Sequence, residues 1–209
     1  MRRIMLDSKG FNEWASQYDD AVIKSENENS YPFAGYSKIL GTIAERILNE
    51  KRKDVLDLGF GTAVLTSYLY ENGCRISGMD FSDEMVRIAQ SKMPEANLFK
   101  GDFKDGIPEA LKTKKYDAAV CTYAIHHLND DEKIVFINES LSVLKDDGIL
   151  MIGDVAFQSK DDLLKCIKQN EEIWDDDEIY CVIENIRPYF EHIDFEQMTF
   201  CSGIIIIRK

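Results

Sequence analysis

The stretch Val55-Leu56-Asp57-Leu58-Gly59-Phe60-Gly61-Thr62-Ala63 places an acid and two glycines where an apolar run gives way to polar residues. Glycines lack Cβ, so a ligand can approach such a turn closely, and a helix opening just beyond it offers unpaired N–H groups. The chemistry predicted is ligand binding by backbone, although any tight strand-to-helix turn can use the same pair. Asp80 closes Ile76-Ser77-Gly78-Met79-Asp80. It stands about twenty residues beyond the glycines, where an acid accepts hydrogen bonds from ribose hydroxyls. Its other reading is a solvated acid at a strand end. Asp102, in Lys100-Gly101-Asp102-Phe103, follows a third apolar run, and a simple Gly-Asp turn accounts for it equally well. A fourth run ends in Thr122-Tyr123-Ala124-Ile125-His126-His127-Leu128. Imidazole titrates near neutrality, so either histidine can remove a proton; alternatively, one caps the next helix while the other lines a cavity.

Such residues converge only if a scaffold brings the ends of successive strands to one edge. Apolar runs at 54–58, 75–80, 96–100, 116–122 and 148–154 read as strands, and amphipathic segments at 62–72, 83–92 and 130–144 read as helices. That alternation predicts a parallel sheet with helical crossovers, its ligand crevice outside the carboxyl ends of the strands. Ser82 is a natural N-cap, followed by Asp83 and Glu84 in the first turn. Upstream, Phe11, Trp14, Ala15 and Tyr18 recur at helical spacing, a polar loop covers 24–30, and a helix after Pro32 carries Ile39, Leu40, Ile43, Ala44, Ile47 and Leu48 on one face. Helical periodicity returns over 159–187, with Leu163, Leu164, Ile167 and Ile173. Two final strands, 191–200 and 203–208, are joined by Cys201-Ser202-Gly203, too tight a link for a parallel crossover, which predicts an antiparallel hairpin.

A chain of 209 residues, 44% of them hydrophobic, builds one sizeable core rather than two enzymatic domains. Its longest aliphatic run, Ile204 to Ile207, falls far short of the roughly 18 residues of a membrane span. Asp7 interrupts the apolar stretch a signal peptide would need, so secretion is not expected. Five scattered cysteines without a C-x-x-C pair fit a reducing cytoplasm, and three histidines show no zinc-ligand spacing. A net charge of −13 repels phosphate backbones and makes nucleic acid a poor partner.

The pattern Asp57-x-Gly59-x-Gly61-Thr62, with the closing hairpin, resembles the class I S-adenosylmethionine-dependent methyltransferases from about Val55 to Lys209. Ala63 stands where many members have a third glycine. The resemblance implies an α/β Rossmann-like fold, a seven-stranded mostly parallel sheet with an antiparallel last strand and helices on both faces. It places an N-terminal helical cap at 1–50 and a core at 51–209, with a helical insertion at about 157–188. It also implies S-adenosylmethionine as cofactor, S-adenosylhomocysteine as product and no metal, the methyl passing in line to a small-molecule acceptor. By the same resemblance the Gly59–Gly61 turn wraps the methionine portion, Asp57 orients its amino group, Asp80 receives the ribose, Phe81 packs on adenine, Asp102 receives the exocyclic amine and Phe103 flanks the ring.

The segment from Thr122 through Tyr123 to Leu128 is similar to motif IV, beside the departing methyl group, which makes His126 and His127 candidate bases. Trp14-Ala15-Ser16-Gln17-Tyr18-Asp19 resembles the preface of small bacterial YrrT-like methyltransferases, as does Phe200-Cys201-Ser202-Gly203, and implies that Tyr18 and Tyr36 close over cofactor or acceptor. Ordinary packing also explains both tyrosines. The run Asp175-Asp176-Asp177-Glu178 reads as a solvated loop, or as a preference for a cationic acceptor. Three other functions compete: an RNA- or tRNA-modifying methyltransferase of the same fold, a non-catalytic S-adenosylmethionine-binding protein, and an NAD-dependent oxidoreductase. Acidity weighs against the first, and the glycine pattern and hairpin weigh against the last.

Overall fold

The computed structural model describes Ser25 and residues 29–209. The expected helix through Phe11, Trp14 and Tyr18, most of the 24–30 loop and the candidate lid residue Tyr18 lie outside them. Strands β1 (Asp54–Leu58), β2 (Arg75–Asp80), β3 (Asn97–Lys100) and β4 (Tyr116–Thr122) pair in parallel, and β5 (Leu144–Phe157) adds to β4. Strand β7 (Ile193–Gln197) and β8 (Ser202–Arg208) form the expected antiparallel hairpin, with β8 between β5 and β7. The order is β3-β2-β1-β4-β5-β8-β7, and a two-residue strand β6 (Cys181–Val182) pairs with the far end of β5.

Period-two alternation sends neighbouring side chains to opposite faces of this sheet. Val55, Ala118, Ile149 and Ile204 fall in one core cluster, whereas Leu56, Ala119, Leu150 and Ile205 fall in the other. Both faces are therefore covered, as a parallel sheet requires. Helix α1 (Tyr36–Asn49) lays Ile39, Leu40, Ile43, Ala44 and Ile47 onto the first face. It approaches so closely that a Cβ at Gly153 of β5 would lie 2.5 Å from Ile39 Cγ2. Helix α2 (Val64–Glu71) starts two residues later than expected, because the glycine turn continues through Ala63 at φ 60, a left-handed residue in the N-cap position. Helix α3 (Asp83–Lys92) begins at Ser82, whose side chain accepts from the Met85 N–H. A one-turn helix, α4 (Glu109–Lys112), lies between β3 and β4. Helix α5 (Asp130–Ser142) opens with a full capping box from Asn129 and Glu132.

The region 159–187 departs most from expectation. Only α6 (Lys160–Gln169) is a regular helix there; irregular chain, β6, the one-turn α7 (Ile183–Ile186) and a tight turn at Arg187–Tyr189 follow. The reason is packing. Trp174 and Tyr180 turn inward against Tyr31, and 181–182 take up backbone hydrogen bonding beside Ala156 and Phe157, so these apolar residues belong to a strand and a cluster, not to one helix face.

Candidate functional site

Strands β1 to β4 run in parallel, so Leu58, Asp80, Lys100 and Thr122 all end at one edge. Beyond β1 the backbone takes left-handed conformations at Gly59 (φ 81), Gly61 (φ 53) and Ala63 (φ 60). A Cβ at Gly59 would stand 2.7 Å from Ala124 Cβ and 2.9 Å from Phe103 Cζ, whereas one at Gly61 would meet nothing within 4 Å. One glycine thus packs the turn against the chain after β4 and the loop after β3. The other faces open space. Asp80 braces the turn: its Oδ2 accepts the Gly61 N–H at 2.9 Å and its Oδ1 the Ser82 N–H at 3.0 Å. Burial nonetheless raises its carboxyl above the ordinary range.

Asp57 is 1% exposed, and its Oδ1 has no hydrogen-bond partner. Burial, opposed by the nearby Thr66 hydroxyl and joined by the Asp80 charge, pushes its carboxyl up to about 7. A buried carboxylate oxygen without a donor is costly, and a donor-bearing or cationic group arriving at the turn would relieve it. Asp102 is exposed and spends Oδ1 on the Lys104 N–H at 2.9 Å, so the Gly-Asp turn is real. Phe103 packs against Phe136, ring centroids 4.8 Å apart, beside Gly59. Phe81 is half-buried directly after Asp80.

After β4 the chain kinks at Tyr123, with φ 50 and its N–H donating to Gly153 O at 2.8 Å. The Tyr123 ring sits 5.0 Å from Tyr36 and 5.3 Å from Phe33, so the start of α1 and its approach cover this kink. His126 is 8% exposed, and its Nδ1 lies 2.8 and 3.0 Å from the two oxygens of Asp154. Burial opposes a charge on this ring, but the Asp154 carboxylate and then Glu178 outweigh it and hold the imidazole up to about 9. His127 moves the other way: burial, the adjacent His126 charge and Lys104 press it down to about 3. Neither histidine is tuned as a base near neutrality.

The expectation of a wholly solvated acidic run is corrected at its last member. Asp176 and Asp177 are exposed, but Glu178 turns in, its Oε1 3.7 Å from His126 Nε2 and its Oε2 accepting the Tyr180 hydroxyl. Tyr180 in turn is bonded to the Tyr31 hydroxyl, and the Ile179 N–H donates to His126 O at 2.9 Å. Sequence reasoning missed Asp154, Tyr31 and Tyr180, and offered Glu178 only as part of a run that is either a solvated loop or a preference for a cationic acceptor. The signal available for Asp154 was a lone acid inside the apolar run from Ile149 to Phe157. Among the described residues no group of three or more His, Cys, Asp or Glu could hold a metal ion, and no helix is long and apolar enough to cross a membrane.

Residues 55–148 match a family described as "Methyltransferase domain". An uncharacterized methyltransferase of Oceanobacillus iheyensis is 34% identical, over 95% of this chain and 95% of its own length. One from Alkaliphilus oremlandii is 32% identical over 88% of this chain and 82% of that protein. Among solved structures, the magnesium protoporphyrin IX methyltransferase of Synechocystis with bound SAH superposes with a TM-score of 0.68. It is 16% identical, with 97% of this chain and 100% of that one covered, which is a likeness of fold.

Proposed function

Since this chain belongs to the methyltransferase family, we propose that it transfers the methyl group of S-adenosylmethionine to a small-molecule acceptor. The observation carrying this reading is the unpartnered Asp57 Oδ1, buried beside a glycine turn whose second glycine faces open space. The residues fit that cofactor. Asp57 would receive its ammonium, the Gly59–Gly61 turn would admit its amino-acid portion, and Asp80, which already accepts the Gly61, Ser82 and Phe81 N–H groups, would turn its remaining acceptor capacity to the ribose. Phe81, Asp102 and Phe103 would flank the base, Thr122 would complete the cofactor site, and Tyr123 would line the side where the acceptor enters. Bound there, the cofactor supplies a methyl carbon already activated by a sulfonium.

The chain's own task is then to orient the acceptor and exclude water. Tyr36, packed on Tyr123, would cover the site, together with the cap at 1–50 and the insertion at about 157–188 over the 51–209 core. The neutral reading of His127 and the charged reading of His126 make both orienting groups rather than bases. A net charge of −13 supports a small molecule over RNA, and five buried free cysteines support a cytoplasmic setting. Calorimetric titration tests the core claim: S-adenosylmethionine and S-adenosylhomocysteine are expected to bind and NAD not to. In Asp57→Ala, affinity for both adenosyl compounds is expected to fall at least tenfold. Binding of NAD alone would overturn the reading.

A further inference from the structure

Asp154, His126, Glu178, Tyr180 and Tyr31 form a row of polar side chains interrupted by one gap, between His126 and Glu178. Nδ1 of His126 is taken by Asp154, while its other nitrogen points at Glu178 across 3.7 Å, too far for a hydrogen bond. Glu178 is held from behind by Tyr180. The single Tyr180 proton goes to Glu178, so the Tyr31 hydroxyl donates to Tyr180, and the row has one direction. The backbone bond from Ile179 to His126 O fixes the irregular strap of chain at 174–180 to the loop after β4. That loop reaches the cofactor turn through Ala124, which would contact a Cβ at Gly59. The Glu178 side chain is 24% exposed and that of His126 9%, so solvent reaches this pair chiefly from the Glu178 side. Lys133, the other charge facing His126, is buried and spent on Leu128 O and Asp130.

We infer that the gap between His126 and Glu178 is the acceptor subsite and that it selects a hydroxyl group, making the chain an O-methyltransferase. This rests on the methyl-transfer reading above. An atom bridging the gap must accept a hydrogen bond from the imidazolium Nε2–H and donate one to the carboxylate. A hydroxyl does both with one atom. An amine held at the Glu178 carboxylate as ammonium has no lone pair to accept the imidazolium N–H or to attack with, and is repelled by that imidazolium, while a thiol bonds weakly in both senses. In the step itself the acceptor oxygen forms a bond to the methyl carbon. The carbon–sulfur bond breaks with its electron pair going to sulfur, and the hydroxyl proton passes to Glu178. His126 steadies the oxygen. Asp154 and Tyr180 are positioning residues, acting through His126 and Glu178.

The experiment uses the full chain, S-adenosylmethionine carrying an isotope-labelled methyl, and the small-molecule fraction of a cell extract. The NMR shift of the labelled carbon tells whether it ends on oxygen, nitrogen, sulfur or carbon. The expected result is an enzyme-dependent oxygen-bound methyl, its formation falling at least about a hundredfold in Glu178→Gln. Asp154→Asn supplies an independent readout. Imidazole NMR is expected to show His126 losing its proton at lower pH, and the alkaline limb of product formation is expected to move down with it. Label on nitrogen, sulfur or carbon would overturn the hydroxyl assignment and leave methyl transfer standing. So would wild-type rates in Glu178→Gln, or an alkaline limb that stays put while His126 shifts. No labelled product at all would overturn the transfer reading on which the assignment rests.

Discussion

Adjacent His126 and His127 are driven in opposite directions by their surroundings, the first ring buried and the second half-buried. Asp154 lies against the first ring, while the second feels the positive charge of His126 and Lys104. With three histidines in the chain, imidazole NMR resolves each. His126 is expected to stay charged until the pH approaches about 9, and His127 to stay neutral until it nears about 3. The signs for stability follow. His126, raised above its unfolded value, contributes stability that is complete below about pH 6.5 and is lost as pH rises through about 9. His127, depressed, contributes stability present above about pH 6.5 and lost as pH falls toward about 3. Swapped titrations would refute the geometry at both rings. The pair was visible in the sequence, as were Asp57, Asp80 and the glycines, because local spacing carries them. Asp154 was not, since its meaning lies in a contact with a side chain 28 residues away.

Elements carry the turn that these residues serve. The two glycines beyond β1 are both left-handed but have different surroundings, and substitution separates their roles. Gly59→Ala would drive a methyl into Ala124 and Phe103 at a φ of 81, and is expected to destabilise the fold by about 2 kcal/mol and to abolish cofactor binding. Gly61→Ala meets open space at φ 53, so its stability cost is expected near 1 kcal/mol, with affinity for S-adenosylmethionine falling sharply. Thermal unfolding and calorimetry read the two effects. If Gly61→Ala bound like the wild type, the open side of the turn would not be the ligand's. The strands around this turn were legible because period-two alternation and apolar runs are local properties, and the hairpin because its link is short. Boundaries were less so: β5 begins at Leu144 and ends at Phe157, beyond the expected 148–154, because Leu144 pairs with Tyr116 of β4 at one end and β8 and β6 extend the other. The 170–182 segment misled for the same reason, its order coming from partners remote in sequence.

In the whole molecule those remote partners meet at one place. Tyr31, from the segment before α1, stacks on Trp174 with centroids 4.8 Å apart and bonds to Tyr180, and Cys166 of α6 and Cys201 of the hairpin turn complete the same cluster. Three stretches that cover the sheet edge are thus pinned through a single buried ring, 4% exposed. Tyr31→Phe keeps the ring and removes the hydroxyl that donates to Tyr180, and is expected to cost about 1 kcal/mol. Tyr31→Ala opens a cavity between the segment and the insertion, with an expected cost of about 3–5 kcal/mol. Because β1 to β4 do not touch this cluster, the loss should be uneven. Hydrogen exchange is expected to quicken for amides at 174–182 in Tyr31→Ala while those of β1 and β4 keep their wild-type ordering above them. Equal acceleration everywhere would show that the cover and the sheet unfold as one unit. A selective effect would mean the strap bearing Glu178 can open while the cofactor turn stays formed, which is the order of events that acceptor exchange over a bound cofactor requires.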